Sequence, residues 1–242
     1  MSSLHSFAAR IPGPPQPSLT PPTIPSLGLK FWMKADTLLG LGDGGLVSPW
    51  SDSSGSANDA TQPTVAHRPV LKVGIINGRP AVRFNGVNTS LAFPNAISAQ
   101  MSTFVVASVN VVASSQIAYA PFICTQQSRL LVRTGSGTNW GTFTGSDQNS
   151  GEDLVAGQWN ILGMDCSNAA ALFLYRNGVQ IFTSGATEVG TAGNVIGAET
   201  DTSRWINADI AEIIIYTPVQ TRAIRQVVED YLSRKYKIAV TH

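Results

Sequence analysis

The chain has 242 residues with 16 basic and 15 acidic side chains, so its formal charge is near zero and excludes the basic face that nucleic-acid recognition requires. Only 13% of residues are charged and 43% are hydrophobic, so the surface has to be built largely from Ser, Thr, Asn, Gln and Gly. Two cysteines, Cys124 and Cys166, allow at most one disulfide and exclude a disulfide-dense scaffold.

The opening MSSLHSFAARIPGPPQ has neither the basic nor the apolar region of a secretory leader, so none is expected there. Polar residues (Ser108, Asn110, Ser114, Ser115, Gln116) interrupt the longest apolar stretch, Phe104 to Ile123, and make it unfit to span a bilayer as a helix. Proline is concentrated between Pro12 and Pro25, a density that forbids helix and sheet and favours extended polyproline II. Residues 1–26 therefore read as an arm and residues 27–242 as the body. The arm carries an apolar head (Leu4, Phe7, Ile11) and a stiff segment (Pro14, Pro15, Pro17). It is expected to anchor the protein to other subunits, because a pre-extended segment loses little entropy when fixed.

From Leu27 onward short alternating runs recur between turn residues, the pattern of an all-β sandwich with about eleven strands. In LGLKFWMKAD, alternation sends Leu29, Phe31 and Met33 to one side and Lys30, Trp32 and Lys34 to the other. Further strands are expected at RPAVRF, TSLAF, STFVVASVNVV, RLLVR, WGTFT and WNILGMDC. Within ALFLYRNGVQIFTSG, Asn177 and Gly178 supply the positive φ angles of a type I′ hairpin turn. The last strand, INADIAEIIIY, leads into the one convincing helix, Thr217 to Tyr236. There Ile224, Val227, Val228, Tyr231 and Leu232 recur at three- and four-residue spacing. Thr217 is the expected cap with Pro218 at the first helical position. Arg222, Arg225, Arg234, Lys235 and Lys237 are expected mostly on the wet face or near the helix C-terminus.

FWMKAD, PWSDSSGSANDATQ leading into HRPVL, INGRPAVRFNGVNTSLAF, NADIAEIIIY and RQVVEDYLSRKY occur in an order that resembles the laminin-G-like group of concanavalin A-like domains. The resemblance covers about Leu29 to Ile238. It implies a jelly roll of two antiparallel sheets with a terminal helix packed on the body. Such modules are common on bacteriophage virion proteins and bacterial surface proteins. It therefore implies a displayed, non-enzymatic protein on a virion surface, as capsid decoration or a tail or fibre component, with a bacterial cell surface as the alternative place. The family also spans glycan binding and adhesion, so the fold leaves the function open.

Retaining glucanases need two carboxylates about 5 Å apart on one strand face. The nearest pair here, Asp209 and Glu212, is three apart, a spacing that directs them to opposite faces of a strand. A structural, paired role is expected for Glu212, and no catalytic residue is assigned. No enzyme activity is expected, with glycan hydrolysis as the third reading.

The run Asp52, Ser54, Ser56, Asn58, Asp59 begins like an EF-hand, but Ala57 stands where Gly is needed and Pro63 where the bidentate Glu belongs. Turn capping by Asp52 and Asn58 is the expectation. No metal or cofactor is assigned, although an irregular calcium site could draw on Asp43, Asp52, Asp59 or Asp201. Glycan binding needs an aromatic platform beside amides and carboxylates, because sugar C–H faces stack on rings while hydroxyls take paired hydrogen bonds. Asn139, Trp140, Asp147, Gln148 and Asn149 supply that set within one loop-rich segment, with Trp205 as an outlying candidate. For Trp140 a place in the core is weighed equally with a place in the site. The expected partners are other virion or surface-assembly subunits through the arm and a cell-surface glycan, without nucleic acid or membrane insertion.

Overall fold

The protein is described by a computed structural model in which residues 23–94, 97, 100–110, 119–124, 129–134, 138–143, 147–153, 155–167, 171–185, 194–198 and 204–242 are placed. For residues 119–124, 129–134, 138, 143 and 147–149 the description is of the backbone alone. The arm residues Leu4, Phe7, Ile11, Pro14, Pro15 and Pro17 lie outside the described residues.

Two antiparallel sheets carry the described chain. The first contains β1 (Leu29–Lys34), β2 (Val70–Ile76), β3 (Arg79–Asn85), β5 (Met101–Val109), β10 (Asn160–Ser167), β11 (Ala171–Arg176), β12 (Val179–Ser184) and β14 (Asn207–Tyr216). The second contains β4 (Leu91–Ala92), β6 (Tyr119–Cys124), β7 (Arg129–Thr134), β8 (Thr138–Phe143), β9 (Asp147–Asp153) and β13 (Val195–Ile196). Among the described residues these are fourteen strands where the sequence suggests about eleven; β2, β6, β9 and the two-residue β13 are the ones outside the expected segments. The antiparallel sandwich with one C-terminal helix, α1 (Arg222–Tyr236), is as expected.

Between the sheets lies the larger core, with Phe31, Trp50, Val82, Phe84, Val105, Trp140 and Ile213 among its members. Each fully buried side chain of this size contributes roughly 1.5 to 3 kcal/mol. A second core fills the space between the outer face of the first sheet and α1, where Phe104, Ile214 and Tyr216 meet Val228, Tyr231, Leu232 and Tyr236. Strands buried on both faces read as continuous apolar runs rather than alternations. That is why β5 and the AEIIIY half of β14 are buried at every position.

Two of the register shifts in the first sheet govern side-chain placement in β1 and β14. The register of β1 against β14 shifts between Leu29 and Phe31. Leu29 consequently packs, like Trp32, against the second core and not with Phe31 and Met33 as strict alternation predicts. A second shift, between Ile210 and Glu212 of β14, occurs where the flanking neighbour changes from β3 to β1. Ala208 and Ile210 face the inter-sheet core, as do Ile213 and Ile215, while Ala211 and Ile214 face the helix. The extra residue turns Asp209 and Glu212 to the same, helix-side face, correcting the expectation of opposite faces.

The hairpin at Asn177 and Gly178 forms as expected, with φ of 52° and 84°. The helix start is corrected. Thr221, not Thr217, is the cap, and its hydroxyl accepts the N–H of Ile224. The backbone before it is engaged elsewhere: Thr217 N–H bonds to the carbonyl of Gly28, and Gln220 N–H bonds to the Ser102 hydroxyl. Those partners are distant in sequence, in the turn before β1 and in β5, and are invisible to a local capping rule. The packed body also begins ahead of Leu27, since Ile24 is buried in the second core and Tyr216 donates its hydroxyl to the carbonyl of Pro25.

Candidate functional site

The residues expected to bind a glycan are dispersed. Trp140 is 2% exposed and points from β8 into the inter-sheet core, so it cannot be the exposed platform proposed for it. The side-chain amide of its neighbour Asn139 donates to Asp153 at 3.0 Å, and Asn139 is itself buried. Asp147, Gln148 and Asn149 lie on the edge strand β9 opposite Phe143, Thr142 and Gly141, and nothing of their side chains is described. Trp205 is half-buried, its backbone paired with Ala198 beside β13, which β6 and β7 separate from β8. Cys166 is buried in the core, as expected of a small hydrophobe.

The SDSSGSANDA loop behaves as turn chemistry predicts. Asp52 accepts the backbone N–H groups of Trp32, Ser54 and Asn58 and the hydroxyl of Ser54. The Asn58 amide donates to the carbonyl of Lys30 at 3.0 Å, tying the loop to β1. Asp43 is engaged by the Lys72 ammonium at 2.6 Å and the Val73 N–H at 2.9 Å, bonds that lower its pKa.

What the structure assembles instead is a cleft of about 460 Å³ between β1, the 3₁₀ turn Ala35–Leu41 and α1. Its floor is built around Glu212, which is fully buried. One carboxylate oxygen accepts the indole Nε1–H of Trp32 at 2.5 Å and the Tyr231 hydroxyl at 3.0 Å. The other accepts the Lys235 ammonium and the Tyr236 hydroxyl, each at 2.7 Å. The structural, paired role expected of Glu212 is what is found, with three aromatic donors and a lysine as its partners. Burial and the adjacent Glu212 charge push the Tyr231 and Tyr236 hydroxyls well above the usual phenol range, so both act as donors.

Above this floor, Trp32 and Tyr231 meet edge to face with centroids 6.2 Å apart and form the apolar wall. Asp36 lies 3.0 Å from Lys235 and 3.6 Å from Arg79. The Arg79 Nε–H also donates to the carbonyl of Lys235 at 2.9 Å. At the lip the Lys34 ammonium sits 4.1 Å from the Trp32 ring centroid, and Arg234 is exposed. Lys34 faces Glu212 directly across the β1–β14 pairing. Lys235 and Arg225 are expected mostly on the wet face or near the helix C-terminus; Lys235 does lie in the last turn, but neither side chain faces water. Their side chains are only 10% and 11% exposed, because each reaches inward to a buried carboxylate.

Arg225 belongs to a second cluster, beside a cleft of about 530 Å³. It stacks 3.8 Å from the Tyr175 ring centroid and reaches Asp165 at 3.3 Å and Glu229 at 3.7 Å. The Ser102 hydroxyl donates to Asp165 at 2.6 Å, and His242 lies 3.3 Å from Glu229. Burial raises the Asp165 pKa and lifts Glu229 to about 7, with Arg225 and His242 opposing the shift at Glu229. Asp209, the other carboxylate weighed for catalysis, is held by both Nε and a terminal nitrogen of Arg83 at 2.7 and 2.8 Å. Among the described residues no three His, Cys, Asp or Glu side chains are grouped to hold a metal.

The cleft was missed because its members are distant in sequence. The available signals were the Trp32–Lys34 alternation on β1 and the four-residue spacing of Tyr231 and Lys235 on α1.

No family model and no curated protein matches this chain. Solved structures do match its fold. Domain 4 of the extracellular arabinanase of Geobacillus stearothermophilus, in complex with arabinotriose, superposes with TM-score 0.60 at 16% identity, over 82% of this chain and 97% of that domain. A sialidase from Trypanosoma rangeli gives 0.60 at 12% identity over 88% of this chain but only 34% of the enzyme. The binding domain of Paraclostridial Mosquitocidal Protein 1 gives 0.57 at 11%, over 86% of this chain and 52% of that one. The chain thus spans about the whole of the first structure, a third of the second and half of the third. At these identities the likeness establishes the β-sandwich fold.

Proposed function

We propose that this protein is a non-catalytic glycan-binding module whose saccharide site is the cleft between β1 and α1. The observation that carries the reading is the cleft itself: an indole and a phenol ring stand beside hydrogen-bonding and charged groups already fixed by their own partners. Saccharide recognition calls for that combination, an apolar wall for C–H faces and positioned donors and acceptors for hydroxyls. The arabinanase domain bound to arabinotriose supports it, because this chain matches almost all of that domain by itself. Absence of catalysis is part of the proposal, supported by the way Asp209 and Glu212 are each held by donors within the fold.

Display on a virion, the leading expectation from sequence, finds no counterpart in the three structures compared above, whose names describe an arabinanase domain, a sialidase and a toxin's binding domain. Glycan recognition, the alternative, is therefore preferred, with attachment to a cell or particle surface through the N-terminal arm, residues 1–26, retained as the accompanying proposal. The test is calorimetric titration of the full chain against a panel of plant, bacterial and animal oligosaccharides. The expected result is saturable binding to at least one class, without release of reducing ends. A flat response across the panel overturns the reading.

A further inference from the structure

Resting on the glycan-binding reading of the same cleft, we infer that its ligand is an acidic saccharide, one whose sugar ring carries a carboxylate, and that Lys34 and Arg234 bind that carboxylate. Lys34, Arg79, Arg234 and Lys235 line the cleft against Asp36 alone, with Glu212 beneath. Asp36 and Glu212 are both engaged by Lys235, and Asp36 also faces Arg79. Two cations are left over. Lys34 rests on the Trp32 ring, and neither it nor Arg234 has a carboxylate partner among the described residues. In a chain whose basic and acidic residues are almost equal in number and make up only 13% of the total, a local excess of this kind at one cleft is a specific feature.

The N-terminal segment cannot neutralise it from within the chain. Asp36 is the first acidic residue in the sequence, so everything ahead of it, including Thr23 at the cleft lip, brings no carboxylate. An incoming carboxylate would find a guanidinium and an ammonium able to form charge-assisted hydrogen bonds, about twice as strong as neutral ones. Asp36, already fixed by Lys235, is placed to accept ring hydroxyls, and the Trp32–Tyr231 wall meets the apolar sugar face. A neutral oligosaccharide would use the wall and Asp36 but leave the two cations without a carboxylate partner.

The test is titration of the full chain with trigalacturonate, sialyllactose, a sulfated oligosaccharide and neutral arabinotriose, repeated for Lys34→Ala, Arg234→Ala and the double variant. Both side chains lie at the surface, so a thermal melt unchanged from the parent protein confirms that each variant is folded. The inference expects a carboxylated sugar to bind best, each single variant to weaken it about tenfold and the double variant about a hundredfold. Binding should weaken as salt is raised. Preferred binding of the sulfated sugar overturns the carboxylate assignment. Preference for arabinotriose, or acidic-sugar binding indifferent to both substitutions, overturns the inference but leaves glycan binding standing. Failure of every sugar overturns both.

Discussion

The Glu212 carboxylate in the last strand accepts the indole N–H of Trp32 in the first strand at 2.5 Å, across 180 residues of sequence. That contact joins the sheet, the helix and the cleft, because the same carboxylate holds Tyr231, Lys235 and Tyr236 of α1. Removing one partner of a buried charge cluster leaves the other charge unpaired, typically at about 3 to 5 kcal/mol. Glu212→Ala should therefore destabilise by that order in chemical denaturation. Glu212→Gln keeps the volume and two acceptor lone pairs and should cost less. Equal stability of the Ala variant and the parent would remove Glu212 from its central place.

The docking of α1 makes a second prediction. Leu232 is 1% exposed against Phe104, Ile214 and Tyr216, so Leu232→Ala should cost about 2 to 5 kcal/mol. Val227, on the same helix, is 43% exposed, and Val227→Ala should change stability by less than about 0.5 kcal/mol. Urea midpoints of the two variants check the pair, and similar midpoints would show that the helix is not seated as described.

Much of this was legible in the sequence and some was not, for definable reasons. Period-two alternation and the Asn177–Gly178 turn are local signals, and they located most strands and the hairpin. The three- and four-residue spacing of Ile224, Val227, Val228, Tyr231 and Leu232 located the helix face, although Val227 itself is exposed. The two register shifts carry no local signal, since each depends on which strand lies alongside. They moved Leu29 to the other core and brought Asp209 and Glu212 to one face. The polar segment around Trp140 attracted a binding reading because its residues are neighbours in sequence, yet alternation on β8 buries the indole. The cleft was concealed for the converse reason, its walls being supplied by residues near 34, 79 and 234 that only the folded chain brings together.

A third prediction concerns pH. The folded protein keeps a proton on Glu229 up to about pH 7, while the unfolded chain releases it near the ordinary value of 4.5. Between those values the folded state binds more protons. The contribution to stability is thus complete below about pH 4.5 and declines as pH rises to about 7. Asp165, whose pKa is also raised by burial, acts in the same direction, while Arg225 and His242 face Glu229 and moderate the loss. Glu229→Gln should flatten the fall in melting temperature between about pH 5 and about pH 8. An unchanged slope in the variant would exclude Glu229 as its source.

A fourth prediction follows from close packing at Gly197. This residue has φ of 85°, and a Cβ there would lie 2.2 Å from the Phe84 ring. Gly197→Ala should destabilise through both backbone strain and overpacking, by more than about 1 kcal/mol. The double variant with Phe84→Leu should recover part of the loss if the clash is the cause. No recovery would assign the whole effect to the backbone.

The central claim, that a saccharide occupies the cleft between β1 and α1, is tested most directly by the indole N–H resonances of ¹⁵N-labelled protein. The protein is titrated with the best-binding oligosaccharide, and the Trp32 signal is identified by its loss in Trp32→Phe. Trp32 donates to Glu212 at the cleft floor, whereas Trp50 and Trp140 are enclosed between the sheets. The account predicts a saturable shift of the Trp32 resonance while those of Trp50 and Trp140 stay in place. A shift of the Trp140 resonance, with the Trp32 signal unmoved at saturation, would contradict it.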